Sequence, residues 1–80
     1  MDRDLAKIIL HATHRSGREL ADLVPFIKAH CDEADYQRLS TAVATVLHDL
    51  DATVQQPIYR EHPELEREIE DRVERFGRMF

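Results

Sequence analysis

The sequence predicts an all-α fold, a compact four-helix bundle with a kinked or broken second helix, within a single helical domain spanning residues 1–80. Three observations favour this fold. Helix-forming Ala, Leu, Glu and Arg are abundant, whereas the chain has two glycines and three prolines. Apolar residues recur at steps of three and four in every long segment. Runs of β-branched residues, which favour strands, are absent.

The first predicted helix runs from about residue 4 to residue 14. Its expected core face consists of Leu5, Ile8, Ile9 and Ala12. Leu10 projects about 150° away from that face, because each residue turns a helix by about 100°. It falls beside Ala6 and Thr13. A second apolar strip implies a second neighbour, either another helix of the same chain or another copy of the chain.

The second predicted helix begins at a junction with two conflicting signals. Gly17 suits a left-handed end for the first helix, whereas Ser16 and Glu19 form a capping box for the second. Farther along, Pro25 lacks an N–H donor and presses on the preceding turn. We expect a kinked or broken helix ending near residue 31, with a fresh start capped by Asp22 as the form of the break.

The third predicted helix, from an Asp32 cap to about residue 54, carries the longest apolar stripe. The stripe is nearly a heptad seam and consists of Tyr36, Leu39, Val43, Val46, Leu47, Leu50 and Val54. We therefore expect this helix at the centre of the bundle. Pro57 is expected to end it, so that residues 55–62 form a loop.

The fourth predicted helix starts at Pro63, a favoured first position, and runs to about residue 78. Its apolar stripe covers only about 80° of the surface, which suits a helix on one flank of the bundle. The stripe is Leu65, Ile69, Val73, Phe76 and Phe80. Favourable four-residue ion pairs are predicted for Glu68–Arg72, Asp71–Arg75 and Glu74–Arg78.

Charge and cysteine content narrow the classes of partner. A formal net charge of −5 and a sequence pI of about 5.4 disfavour nucleic acid and anionic membranes, because both require a basic surface. A basic protein partner is compatible with that charge. Cys31 is the one cysteine, so no intrachain disulfide can form. Together with the absence of a secretory signal or a long apolar run, this predicts a cytoplasmic protein.

No catalytic or metal-binding set emerges from the reactive residues. The chain has five histidines, and His11 and His14 share one helical turn, but a transition-metal site needs three or four converging ligands. Cys31 falls on the core stripe of the second helix, and the adjacent His30 points about 100° away. The carboxylates of the fourth helix belong to a solvated face. We therefore predict no cofactor, no metal and no enzymatic activity.

The function predicted from the sequence is a small protein–protein interaction or regulatory module that forms a homodimer. The residues assigned to partner binding are those of the spare apolar strips, namely Ala6, Leu10, Thr13, Phe76, Met79 and Phe80. The competing interpretation packs the first and fourth helices together and closes the core within one chain. Two other functions stay open, an immunity- or antitoxin-like acidic inhibitor of a basic protein, and a helical-bundle metal-binding protein.

Overall fold

The structure, a computed structural model, describes residues 1–77, and these residues form three helices rather than four. The first helix, α1, is Arg3–His30, and the third, α3, is Pro63–Phe76. The second helix, α2, spans residues 33–61 without a break. The all-α prediction is confirmed, and no strand occurs within residues 1–77. The predicted count of four helices and the predicted break at the second helix are wrong, whereas the alternative of a kink at Pro25 stays a prediction.

Helix α1 is one rod about 42 Å long at 1.5 Å per residue. Asp2 caps its N-terminus, because the Asp2 carboxylate accepts a hydrogen bond from the Leu5 backbone N–H at 3.1 Å. The helix passes through both predicted breakpoints, Gly17 and Pro25. Pro25 costs one backbone hydrogen bond, yet the flanking turns remain helical. The predicted end of a first helix at residue 14 is therefore wrong.

Gly17 lies inside α1, where α1 contacts α2, and does not end a helix. A Cβ atom at this position would lie 3.4 Å from Cδ2 of Leu47 on α2, an ordinary van der Waals contact. The contact with α2 therefore leaves room for an alanine at this position. The backbone of Gly17 is helical, so the left-handed conformation of a helix end is not used here.

Helix α2 changes its hydrogen-bonding pattern without ending. It consists of an α-helical part, Glu33–Asp49, a π-helical part, Leu50–Gln55, and a last α-helical part, Gln56–Glu61. Pro57 falls at the start of that last part, where its missing N–H is tolerated after the wider π turn. The predicted Asp32 cap is confirmed, with the Asp35 N–H donating to Asp32 at 2.8 Å. The predicted loop over residues 55–62 is wrong.

Helix α3 starts at the predicted Pro63 and ends one residue before Gly77. Gly77 takes a left-handed conformation with φ of 72°, and its N–H donates to the Val73 carbonyl at 2.8 Å. The helix therefore stops earlier than predicted. The predicted ion pairs Glu68–Arg72 and Asp71–Arg75 are both present. The Glu74–Arg78 pair lies outside the described residues.

The buried core lies at one end of the molecule, where all three helices meet; we call this the three-helix end. The core residues come from every helix and are Ala6, Leu10, Ile58, Leu65 and Ile69. Helices α1 and α2 run antiparallel, and α3 returns beside the first half of α1. Arg3 and Lys7 bind Glu68 near the start of α3, and Arg18 donates to the Gly77 carbonyl at its end.

Beyond Arg18 only α1 and α2 remain, and we call this part the two-helix end. The Glu33–Asp49 part of α2 has no buried residue, and Ile27 of α1 is buried at 8% exposure. The stripe predicted to organise the fold is therefore half-buried at best, and its Val46 is 46% exposed. The stripe is therefore not the centre of the core, although α2, like α1, contacts both other helices.

The two apolar strips of α1 are largely interchanged relative to the prediction. Ala6 and Leu10, predicted on the outer strip, are fully buried, whereas Leu5, Ile8 and Ala12 of the predicted core face are exposed. Ile9 of that face is the exception, because it is half-buried and packs against the core. The inward residues continue at heptad spacing along the whole rod, as Ala6, Leu10, Thr13, Gly17, Leu20, Val24 and Ile27. Because the helix does not break at Gly17, this long seam determines which side faces α2 and α3.

Candidate protein-interaction surface

The outer side of α1 carries a row of large apolar side chains that no other helix covers, and we call it the outer stripe. It consists of Leu5, Ile8, Leu23 and Phe26. Their exposed fractions are 49%, 66%, 43% and 59%. At about 100° per residue they fall within an arc of about 60°, roughly 100–160° around the helix from the core residues Ala6 and Leu10. The four exposed apolar side chains therefore lie on one side of the helix and are not distributed around it.

A shallow groove borders the outer stripe midway along α1. It is lined by Ser16, Glu19, Leu20 and Leu23, and apolar atoms dominate its walls. At the far end of the stripe, the ring of Phe26 lies against that of His30, with centroids 4.6 Å apart. A row of exposed apolar groups beside an apolar groove is typical of a protein-interaction surface.

The residues that the sequence assigned to partner binding do not form one surface. Ala6 and Leu10 lie in the core, so they are inaccessible in the folded chain. Thr13 is half-buried, and its hydroxyl donates to the Ile9 carbonyl at 2.9 Å. Phe76 is 63% exposed at the end of α3. Met79 and Phe80 lie outside the described residues. The placement of Ala6 and Leu10 on an outer strip is wrong.

Ion pairs between α1 and α3 stabilise the three-helix end. Glu68 binds Lys7 at 2.9 Å and Arg3 at 3.1 Å across to α1, and Arg72 at 3.0 Å along α3. The hydrogen bond from Lys7, with the nearby Arg72 and Arg3 charges, lowers the pKa of Glu68 below its usual value of 4.5. These contacts fix α3 along the side of α1 that faces away from the outer stripe.

The N-terminus is held in the same region. The Met1 ammonium binds Glu61 at the end of α2, and this hydrogen bond lowers the pKa of the Glu61 carboxyl. The His62 Nε2 atom lies 2.8 Å from the Met1 carbonyl. Nearby, burial raises the pKa of Tyr59, with smaller contributions from the charges of Glu66, Asp51 and Glu70. These contacts are structural, since they join helix ends and line no cleft.

The candidate metal and nucleophile residues do not converge. His11 and His14 are half-buried on α1, and no group of three or more His, Cys, Asp or Glu side chains is placed to hold a metal ion within residues 1–77. Cys31, predicted in the core, is an exposed free thiol at the end of α1. The helix ends at this residue, so the core stripe does not reach it.

Comparison with known proteins gives no assignment: no protein-family model matches the chain, and neither a curated protein nor a solved structure is significantly similar. Across the described residues, none of the helices has both the length and the apolar character that a membrane crossing requires.

Sequence reasoning missed the outer stripe because it assigned Leu5 and Ile8 to the core. Because the first helix was predicted to end at residue 14, Leu23 and Phe26 were assigned to a separate second helix. The signal that would have joined these residues is an eighteen-residue repeat, with Leu at positions 5 and 23 and a large apolar residue at 8 and 26. Eighteen residues are five helical turns, so the repeat becomes visible once α1 is treated as one helix.

Proposed function

We propose that this chain is a small, non-enzymatic protein–protein interaction module that works as a homodimer in the cytoplasm. The observation that carries the proposal is the outer stripe of α1. Four large apolar side chains stand exposed on one side of a helix whose other side already holds the core. The four side chains form two apolar patches on one side of the helix, separated by the exposed Arg15, Ser16 and Glu19. Clustered apolar surface is typical of interfaces, whereas single exposed residues are ordinary.

The energetics of pairing allow a weak, reversible dimer. Full burial of a large apolar side chain contributes about 1.5–3 kcal/mol, and the stripe residues are about half exposed already. A dimer that buries the four side chains of each copy therefore gains roughly 6–12 kcal/mol. The cost of association is about 4–15 kcal/mol, so gain and cost nearly balance, and a dissociation constant of about 1 μM is the tightest that this estimate allows. A charge placed in the stripe would remove most of that gain.

Sedimentation equilibrium of the Ile8→Glu variant tests the proposal. Ile8 is 66% exposed, so the folded chain tolerates the carboxylate, whereas a desolvated carboxylate in the interface is costly. We expect the dimer to weaken by about 100-fold or more, while the helical circular dichroism signal is retained. The matched control is Ala44→Glu at an exposed position of α2, which should leave the dimer unchanged.

A wild-type chain that sediments as a monomer at every concentration up to the millimolar range would contradict the homodimer. Equal weakening by Ile8→Glu and Ala44→Glu would contradict the role of the outer stripe, because net charge alone would then explain the effect.

A second proposal is an acidic inhibitor of a basic protein, in the manner of an immunity protein or antitoxin. The charges of Glu66, Asp51 and Glu70 all raise the pKa of Tyr59. Carboxylates from two helices are therefore close together in this region. Binding to a basic partner through this region should weaken steeply as salt rises from low to physiological concentration. Binding that is indifferent to salt would favour the apolar outer stripe instead.

A further inference from the structure

We propose that α3 is a detachable helix, which leaves the rest of the molecule about a hinge at His62 while α1 and α2 stay paired. The detachment involves the inward side of α1, so it is independent of the proposed homodimer through the outer stripe. Three features of the structure support it: the joint between α2 and α3, the contacts that hold α3 in place, and the packing of α1 and α2 without α3.

The joint between α2 and α3 is a single residue, His62. Its backbone lies outside the helical region, with φ of −131° and ψ of 73°. The Pro63 ring keeps it there, because a proline disfavours a helical conformation of the residue before it. The two helices therefore cannot merge into one, and rotation at His62 carries α3 away from α1.

A short apolar contact holds α3 on the other two helices. Leu65 and Ile69 are the buried residues of α3, and both lie in its first half. Farther along, Val73 is half-buried and Phe76 is 63% exposed. The backbones of α1 and α2 approach each other along much of their length, whereas α3 meets α1 mainly through side chains. The attachment of α3 therefore depends on few apolar groups and on charges.

The charged part of the attachment is centred on Glu68. Its carboxylate binds Lys7 at 2.9 Å and Arg3 at 3.1 Å, both on α1. The three side chains are 29–47% exposed, so water and dissolved salt weaken these ion pairs. At the other end of α3, Arg18 donates to the Gly77 carbonyl at the surface. A reversed charge at position 68 would replace attraction to both cations by repulsion.

The two-helix end shows that α1 and α2 pack together without α3. Beyond Arg18 the two helices remain side by side, and Ile27 is buried there at 8% exposure. At the three-helix end, the side-chain amide of Gln55 on α2 lies 3.5 Å from the Thr13 hydroxyl on α1, a contact in which α3 takes no part. Detachment of α3 therefore extends the two-helix arrangement along the whole length of α1.

Detachment changes the apolar surface that the chain presents. With α3 in place, Ala6, Leu10 and Ile58 are buried beneath Leu65 and Ile69. Without α3, the first three residues line an open groove between α1 and α2. A free helix of 14 residues is marginally stable in water, so the detached α3 also loses helical structure. Its backbone amides then exchange with solvent, which makes the opening measurable.

Hydrogen–deuterium exchange of the full chain, followed by mass spectrometry, tests the detachment. Glu68→Lys places a cation against Lys7 and Arg3, so we expect exchange of the α3 amides to rise by about tenfold. The amides of α1 and α2 should change by less than about twofold, because these helices stay paired when α3 leaves. The matched control is Glu70→Lys, an equal change of charge at an exposed position of α3 outside these ion pairs, which should leave α3 unchanged.

Salt provides a second measurement that needs no substitution. Raising the ionic strength from about 0.01 M to about 1 M shortens the screening length from about 30 Å to about 3 Å. In the wild-type chain, exchange of α3 should therefore rise severalfold relative to exchange of α1 and α2. This measurement applies even where the Glu68→Lys chain does not fold.

A selective rise of exchange in α3, in the Glu68→Lys chain and at high salt, supports the detachable helix. A rise by the same factor in all three helices overturns it, because α3 would then leave only when the whole chain unfolds. Equal effects of Glu68→Lys and Glu70→Lys overturn the attachment through Glu68. Sedimentation of the same samples reports the homodimer separately, so that either proposal can fail while the other stands.

Discussion

The three-helix end and the two-helix end contain the same pair of antiparallel helices, but they differ in how far the side chains are buried. At the three-helix end, α3 adds a third layer, and Leu10 and Leu65 are at most 1% exposed. At the two-helix end the same α1 and α2 pack without a third layer, and the Glu33–Asp49 part of α2 buries no residue. Two packed helices shield only part of each apolar stripe from solvent. The third helix completes the burial of the side chains between them.

The contrast explains why so much apolar surface remains exposed in an 80-residue chain. The Cα atoms span 45 × 26 × 15 Å, so the molecule is thin in one direction. A small chain buries a lower fraction of its surface than a large one, and association is one route to further burial. The outer stripe of α1 runs along both ends, so pairing would stabilise the poorly covered end most.

The largest expected effect comes from breaking the three-helix end with Leu10→Ala. Leu10 is fully buried among residues of all three helices, so truncation leaves a cavity and should reduce the free energy of unfolding by about 2–5 kcal/mol. Urea denaturation at low protein concentration, where dimerisation does not contribute, measures the loss.

The matched control for that experiment is Leu23→Ala at the two-helix end. Leu23 is 43% exposed, so the same truncation should cost less than about 1.5 kcal/mol in the monomer. It should nevertheless weaken the dimer. Equal losses for the two variants would mean that the two ends are packed equally well, contrary to the structure.

Gly17 lies between the two ends of the molecule. Its substitution by alanine is expected to stabilise the chain, by an amount smaller than the loss at Leu10. The residue is helical and an added Cβ would meet Leu47 at an ordinary contact distance of 3.4 Å. Gly17→Ala should therefore raise the free energy of unfolding by about 0.5–1 kcal/mol, because glycine is a poor helix former. Differential scanning calorimetry measures the change. A strong loss of stability would indicate a left-handed Gly17 and a broken α1.

The smallest expected effect is the acid sensitivity of the three-helix end. Lys7, Arg72 and Arg3 lower the pKa of Glu68 in the folded chain. A lowered folded pKa gives stability that is present above the unfolded value near 4.5 and lost as pH falls through the folded value. The melting temperature should therefore decline below about pH 4.5.

Glu68→Gln should remove part of that decline, by less than about 1 kcal/mol, because the contacts are partly exposed. Glu70→Gln on the same helix, which takes part in none of these ion pairs, is the control. Identical pH profiles for wild type and Glu68→Gln would show that Glu68 does not couple α1 to α3.

The features that local chemistry controls could be predicted from single residues. Asp32 caps α2 because its carboxylate reaches a free backbone N–H, and Pro63 begins α3 because a first-turn residue needs no donor. The ion pairs Glu68–Arg72 and Asp71–Arg75 follow from four-residue spacing on a helix. Each of these predictions depends on atoms within one turn, so no knowledge of the fold was needed.

Predictions that depended on competition between local and tertiary effects failed. Gly17 and Pro57 are local helix breakers, yet α1 continues through Gly17, which is helical and packs beside Leu47, and α2 continues because a π-helical part precedes Pro57. Once Gly17 was taken as an end, the phase of the first helix was inferred from eleven residues alone. That short segment favoured the larger side chains Leu5 and Ile8 over the seam that contains Ala6 and Leu10.

The sequence by itself determined that the chain is helical, where α2 and α3 begin, and that α1 carries two apolar strips. Only the tertiary structure decided which strip faces inward. The small residues Ala6 and Gly17 make the inward strip the weaker one by hydrophobicity, but the strip extends from Ala6 to Ile27 and packs against the other helices along most of α1. This continuous packing determines which side faces inward, and it leaves the outer stripe exposed.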